Sequence, residues 1–299
     1  MIFPGFLKTF WDVFWNDFMK IAIFADVHSN FEALISVIKD INQWRPDLVL
    51  VGGDIINRGP QPFECTELVL ERAVGDGWKV ICGNHERFVL ECGRGNLPTV
   101  GPAHEISRHA KWTYAKVAGL TDNLAELPVQ WDMVDEYGHE LRMVHASMLG
   151  DRKGIFQDDT DEILLKKIAP APRVIIVGHT HRPFIRTIDN TLVLNVGAVG
   201  APFDHDPRAG YAKLILSNGY WKAEIIRLEY DRQKAIARFI DTGYLEESGD
   251  FARLIMAEFC ESRSLIPGWY KVYEKKLMED EITLKASIDR YLASCNISI

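Results

Sequence analysis

The chain has 299 residues, of which 47% are hydrophobic and 25% charged, and Lys+Arg 34 against Asp+Glu 42 gives a formal net charge of -8. That balance belongs to a folded globular chain rather than a disordered one. It also argues against non-specific adhesion to a nucleic-acid backbone, so no stable nucleic-acid complex is expected.

The segment Ile2 to Phe18 opens the chain with Phe3, Phe6, Leu7, Phe10, Trp11, Phe14, Trp15 and Phe18 on one helical face, the i, i+3, i+4, i+7 pattern of an amphipathic helix. It has neither the positive flank nor the small-residue cleavage site of a secretory signal. Three readings stay open: a helix docked on the body or a partner, an extension upstream of a start at Met19, or a membrane-surface anchor. The last lacks the Lys/Arg expected on its polar face.

From Lys20 the pattern changes to short apolar strands alternating with helices. The expected strands are Lys20–Ala25, Asp47–Val51 and Lys79–Cys82, with helices over Phe31–Ile41 and Pro62–Val74 between them. This is the βαβ signature of a largely parallel sheet. Helices are expected at His104–Val117 and Asp122–Leu127, then a hairpin of Gln130–Asp135 and Glu140–His145 turning at Tyr137-Gly138-His139. A helix at Asp161–Ile168 leads to the strand Arg173–Val177. Four more strands follow, Phe184–Ile188, Thr191–Val196, Tyr211–Leu216 and Trp221–Leu228, with turn signals at Asp189-Asn190 and Asn218-Gly219. From Asp231 the chain reads as helical, with a break at Pro267-Gly268. The expected organisation is therefore an N-terminal extension (1–18), an α/β domain (19–230) and a helical C-terminal extension (231–299). No apolar run reaches the ~18–20 residues of a membrane span.

Acid, amide and imidazole side chains recur where strands stop. Asp26 and His28 follow the first strand, Asp54 the second, and Asn84 and His85 the third; His145 ends the hairpin, and His179 and His181 follow Arg173–Val177. The loops beyond the carboxyl ends of parallel strands converge on one crevice. Taken singly, a strand-terminal Asp is more often a cap or turn residue and a lone His more often structural. Their joint occurrence points to two divalent cations held by oxygen and nitrogen. With no thiolate among the donors, Mn²⁺ is the first expectation, and Fe, Zn²⁺ or Ni²⁺ also suit the set. Cys65, Cys82, Cys92, Cys260 and Cys295 form no Cys-x-x-Cys pair, so neither a disulfide framework nor a zinc knuckle is expected. A reducing, cytoplasmic compartment is the simplest reading.

Asp26-Val27-His28, Gly53-Asp54-Ile55-Ile56-Asn57-Arg58-Gly59, Gly83-Asn84-His85-Glu86, His145 and Gly178-His179-Thr180-His181 resemble the five blocks of the calcineurin-like metallophosphoesterase superfamily. The resemblance spans Lys20 to Leu228. Trp112, Leu124, Leu127, Pro128 and Tyr230-Asp231 are similar to the bacterial phosphodiesterase-like branch. The resemblance implies a four-layer α/β/β/α sandwich with two metals at its rim. One ion would take Asp26, His28, Asp54 and His181, the other Asp54, Asn84, His145 and His179, with Asp54 as the bridge. His85 would act as an acid beside the leaving group, and Arg58 would clamp phosphate. Two cations would lower the pKa of a bridging water, and the hydroxide would attack phosphorus in line. One departure is Asn57, where protein phosphatases of the superfamily carry an Asp that orients the catalytic histidine.

Arg87 and Arg152 lie close in sequence to motifs and are further candidates for phosphate contact. Asn195 and Gly197 to Gly200 are candidates for the floor of the site. His104, His109, His139 and His205 lie outside the motifs and are left structural or exposed, while Trp112 and Tyr114 divide between core packing and stacking on a base. The expected activity is a dinuclear phosphodiesterase or phosphatase acting on a phosphorylated small molecule or nucleotide. The rivals are a protein serine/threonine phosphatase, a dinucleoside tetraphosphatase, and a metal-binding scaffold without activity. The terminal helices are candidates for a homo-oligomer contact.

Overall fold

A computed structural model describes residues 18–95 and 98–298. Two five-stranded sheets face each other. The first runs β10-β9-β1-β2-β3 and is made of β1 (Phe18–Phe24), β2 (Leu48–Val51), β3 (Lys79–Val80), β9 (Ala209–Ser217) and β10 (Tyr220–Leu228). The second runs β4-β5-β6-β8-β7, from β4 (Gln130–Val134), β5 (Glu140–Val144), β6 (Val174–Val177), β7 (Phe184–Ile188) and β8 (Thr191–Asn195). In each sheet the three central or consecutive strands β1/β2/β3 and β5/β6/β8 are parallel.

Side-chain alternation along β1 explains the layering, since successive residues point to opposite faces. Ile21 and Ile23 join Leu50, Met143, Ile176 and Leu194 in the core between the sheets. Ala22 and Phe24 face the other way and pack with Leu34, Val37, Val69 and Val89 from α1 (Phe31–Trp44), α2 (Pro62–Gly75) and α3 (Asn84–Gly93). On the outer face of the second sheet, Ile175, Val177 and Val193 pack with Leu164 and Ile168 of α6 (Asp161–Ile168). The outcome is the α/β/β/α sandwich expected from the sequence.

Between the sheets' contributions lie α4 (Gly101–Lys116) and α5 (Thr121–Ala125), and the chain ends in α7 (Arg232–Asp241), α8 (Tyr244–Glu247), α9 (Phe251–Glu261), α10 (Ile266–Met278) and α11 (Leu284–Ser294). These last helices share an apolar cluster around Phe239, Phe251 and Trp269 that also takes in Ile106 and Trp112 of α4. Trp112 donates its indole N–H to Glu247 (2.7 Å) and its ring meets Tyr244 edge-on, so it is a packing residue, not a platform for a base. Tyr114 packs against the main core.

Three expectations need correction. Phe18 does not continue the N-terminal helical face; it opens β1 and pairs with Ser217 of β9, because the long β9–β10 hairpin offers a ladder reaching that far. The rest of that amphipathic segment, residues 1–17, lies outside the described residues. The sequence pattern assigns no helix directly after the third strand, whereas the motif Asn84-His85-Glu86 opens α3. Pro267-Gly268 does not break a helix but begins one, the proline sitting in the first turn of α10, where its missing N–H costs nothing. Among the described residues no helix is long and apolar enough to cross a membrane.

Candidate metal centre

The strands bring the expected residues to one end of the two sheets. The loop after β1 carries Asp26 and His28, the loop after β2 carries Asp54, and α3 begins with Asn84 and His85; from the facing sheet come His145 after β5 and His179 and His181 after β6. Five of them, Asp26, His28, Asp54, His179 and His181, sit at positive φ, as do Asn57 and Arg58. Such backbone is costly for non-glycine residues and persists where the surroundings over-determine it. Here the Asp26 N–H donates to the Gly53 carbonyl (3.0 Å), the His28 N–H to that of Asp54 (3.0 Å) and the Ser29 N–H to that of Ile55 (2.9 Å). Gly53 and Gly83 let these loops touch: a Cβ at Gly53 would lie 2.5 Å from the Gly83 nitrogen, and one at Gly83 2.2 Å from Asp54 Oδ1.

Three groups of ligand atoms converge, each within 4.8 Å: Asp26, His28 and His181; His28, Asp54 and His85; Asp54, His145 and His179. Asp54 Oδ2 is 3.2 Å from His145 Nε2 and 3.8 Å from His28 Nε2. Asp26 Oδ1 lies 3.3 Å from His181 Nε2 and is buried without a hydrogen-bond partner. Asn84 Oδ1 is 3.0 Å from His145 Nε2 and 2.9 Å from His179 Nδ1. A buried carboxylate oxygen lacking a donor, beside imidazole nitrogens turned toward it, is the donor set a divalent cation satisfies. The rings are aimed from behind. His145 Nδ1 donates to the Gly52 carbonyl (2.8 Å) and His181 Nδ1 to that of Ala201 (2.5 Å), which leaves each Nε2 facing inward. Asn195, buried at the end of β8, donates to the Gly178 carbonyl (3.0 Å) and Thr180 Oγ1 (2.8 Å) and braces the loop that carries both histidines.

Burial would raise the Asp54 carboxyl, but the imidazoles of His145, His85 and His28 outweigh it and hold Asp54 well below its usual range. Burial opposes charge on His145, yet Asp54 and Asp26 raise it to about 10. Burial and the neighbouring imidazoles hold His28 well down and bring His179 to about 4. Burial likewise lowers His85, with Asp54 opposing and Arg58 reinforcing the effect. Neutral imidazole is the form that binds metal; His28 and His179 are held in it, whereas His145 would release its proton in exchange for a cation seated between it and Asp54. Cys82 adjoins the site in sequence, but burial pushes its thiol up to about 12, so it is no nucleophile at neutral pH.

Glu86 was part of a recognised motif without an assigned role. Its Oε2 accepts the N–H groups of Asp54 (2.8 Å) and Gly83 (2.8 Å), and its Oε1 those of Ile55 (2.7 Å) and Ile56 (3.2 Å). Burial and the Asp54 carboxylate push Glu86 up to about 7. Replacing it with alanine leaves four buried donors unpaired, at ~1–3 kcal/mol each before relaxation. Urea unfolding of Glu86→Ala should therefore show a loss of about 3–5 kcal/mol. An unchanged midpoint would mean that water replaces the carboxylate and that Glu86 does not hold the loop.

Arg58 lies beside this centre, but Nη2 is paired with Glu258 of α9, and its guanidinium sits 5.5 Å over the Phe203 ring. Glu258 also accepts from the N–H groups of Leu265 (2.6 Å) and Ile266 (2.8 Å), so the same carboxylate anchors the start of α10. A phosphoryl group reaching Arg58 must compete with Glu258, a contact absent from any motif. Arg87 pairs with Asp151, and both line a cavity of about 220 Å³ that reaches His145. Arg152 is exposed and does not line it. The structure thus places Arg87 in the same cavity lining as His145 and leaves Arg152 outside it.

A family model described as the calcineurin-like phosphoesterase superfamily domain matches residues 19–219. The chain belongs to that superfamily, and it is a phosphoester hydrolase. It is 35% identical over 247 residues to a symmetrical bis(5'-nucleosyl)-tetraphosphatase of Chromohalobacter salexigens, covering 72% of this chain and 86% of that protein. It is 28% identical over 249 residues to an uncharacterized protein of Methanocaldococcus jannaschii, 77% of this chain and 96% of the other. The crystal structure of a metallophosphoesterase from Sphaerobacter thermophilus superposes with a TM-score of 0.64 at 25% identity, over 82% of this chain and 99% of that one.

Proposed function

We propose that the chain hydrolyses a nucleotide-like phosphoester with two divalent ions, Mn²⁺ first among them. Asp26, His28, Asp54 and His181 would hold one ion, and Asp54, Asn84, His145 and His179 the other. The observation that carries this reading is the position of Asp54 Oδ2, which faces His28 on one side and His145 on the other. When bound, the two ions supply a hydroxide near neutral pH and offset charge on the phosphoryl oxygens. The residues of the chain do the rest. Glu86 fixes the Asp54 loop, Asn195 fixes the loop of His179 and His181, and His85 faces the leaving oxygen from the start of α3. Arg87 would reach a phosphate only by leaving Asp151, beside which it lines the cavity that includes His145.

A dinucleoside polyphosphate is the substrate class favoured by the 35%-identical relative. Turnover of bis(p-nitrophenyl) phosphate, p-nitrophenyl phosphate and diadenosine tetraphosphate, each with added Mn²⁺ and with chelator, tests both levels of the reading. Chelator-sensitive hydrolysis that favours the tetraphosphate is the expected result. Hydrolysis unaffected by chelator would overturn the metal assignment, and preference for either nitrophenyl ester would overturn the substrate class.

A further inference from the structure

We propose that His109, on α4, is a positioning residue that clamps the amide of Asn57 and so directs His85 to present an N–H at Nε2 to the leaving oxygen. The inference rests on the proposed place of His85 beside that oxygen.

The argument is one of donors and acceptors. His109 Nδ1 lies 2.8 Å from Asn57 Oδ1. An amide oxygen only accepts, so His109 donates, and its proton is on Nδ1. That contact turns the Asn57 NH₂ toward His85, where Nδ2 lies 2.8 Å from His85 Nδ1. An amide nitrogen only donates, so His85 Nδ1 accepts and its single proton sits on Nε2. A carboxylate at position 57 would dictate the reverse, accepting a hydrogen bond from an N–H at Nδ1. The departure at Asn57 is therefore a different device and not a weakened version of the usual one.

The clamp is well enclosed. Asn57 is wholly buried and His109 nearly so, with burial bringing His109 to about 3, so this ring is neutral and has one proton to give. Its ring stacks on Phe251 of α9 at 5.5 Å and packs near Phe88 of α3 at 6.1 Å. Asn57 is also held at φ 70, a conformation that asparagine tolerates better than most residues. In this role His85 hydrogen-bonds the oxygen that keeps the electron pair of the broken P–O bond, and water then protonates that oxygen. Such help matters for a localised alkoxide and little for a delocalised nitrophenolate.

The test compares kcat and KM on a nitrophenyl ester and an alkyl ester of whichever class, mono- or diester, the wild-type protein hydrolyses with saturating Mn²⁺. His109→Phe keeps the stacking on Phe251 but has no N–H. It should lose about tenfold in kcat on the alkyl ester, less than the ~10²–10³-fold of the donor itself because His109 acts only through Asn57 and His85, and less than about twofold on the nitrophenyl ester, with KM and metal content unchanged. His109→Gln, which keeps an N–H donor, should recover most of the loss. Where His109→Phe does not fold, Asn57→Gly, which removes the amide and is at ease at φ 70, carries the same expectation. Equal losses on the two esters, or no loss in a folded variant, would overturn the role of His109. If His85→Ala itself shows no leaving-group dependence, the place of His85 fails instead, and the two failures are told apart by measuring both variants side by side.

Discussion

Asp54→Asn and Asp54→Ala should both abolish turnover and leave the purified protein with fewer than two metal ions per chain. The carboxylate faces both imidazole groups, so removing it takes one ligand from each proposed ion at once. The two substitutions separate chemistry from backbone. Asp54 sits at φ 55, where alanine pays ~1–2 kcal/mol and asparagine, of the same shape, pays less. Loss in both variants assigns the effect to the missing charge; loss in Asp54→Ala alone assigns it to the loop. Rates should fall by at least ~10³-fold, the scale of removing a preorganised electrostatic element, while Arg58→Ala should keep full metal content. Elemental analysis beside turnover decides this. Wild-type stoichiometry and rate in Asp54→Asn would remove it from the bridge.

The second large effect is expected from His85→Ala, read through the leaving group. A donor to the departing oxygen typically contributes ~10²–10³-fold, and this should be lost on alkyl or nucleoside esters. On nitrophenyl esters the loss should be clearly smaller, because the ring already spreads the charge, and both metals should stay bound. If His85 merely packs the loop, its removal slows both substrates alike and weakens metal binding. Rates on the two esters at saturating Mn²⁺ separate these outcomes.

Much of this was legible in the order of residues, because strand termini are marked by a change from apolar runs to Gly, Asp, Asn and His. Asp26, His28, Asp54, Asn84, His145, His179 and His181 could all be placed at one edge by that rule. What escaped was long-range or hidden in a motif. Nothing in the text around Glu258 links it to Arg58, 200 residues earlier. His109 looked like an ordinary helical histidine, and only the approach of α4 to the Asn57 loop gives it a partner. The helix α3 was masked by its own motif, although Phe88, Val89, Leu90 and Cys92 supplied an apolar face. Phe18 fitted the helical spacing upstream and equally well the strand downstream, and the β9 ladder decided it.

The proposed ligands are divided between the sheets: Asp26, His28, Asp54 and Asn84 leave one, and His145, His179 and His181 leave the other. Two ions seated as proposed would therefore act as rivets along the open rim of the sandwich, where the apolar core ends. A ligand bound only by the folded chain adds ~2.7 kcal/mol of stability at a hundredfold excess over its dissociation constant, and here that gain would resist a particular motion, the parting of the two sheets at their mouth. Metal starvation would then do more than silence the reaction. It would leave carboxylates and imidazoles facing each other across an unfastened seam, so the heat resistance of the chain and its supply of metal would rise and fall together.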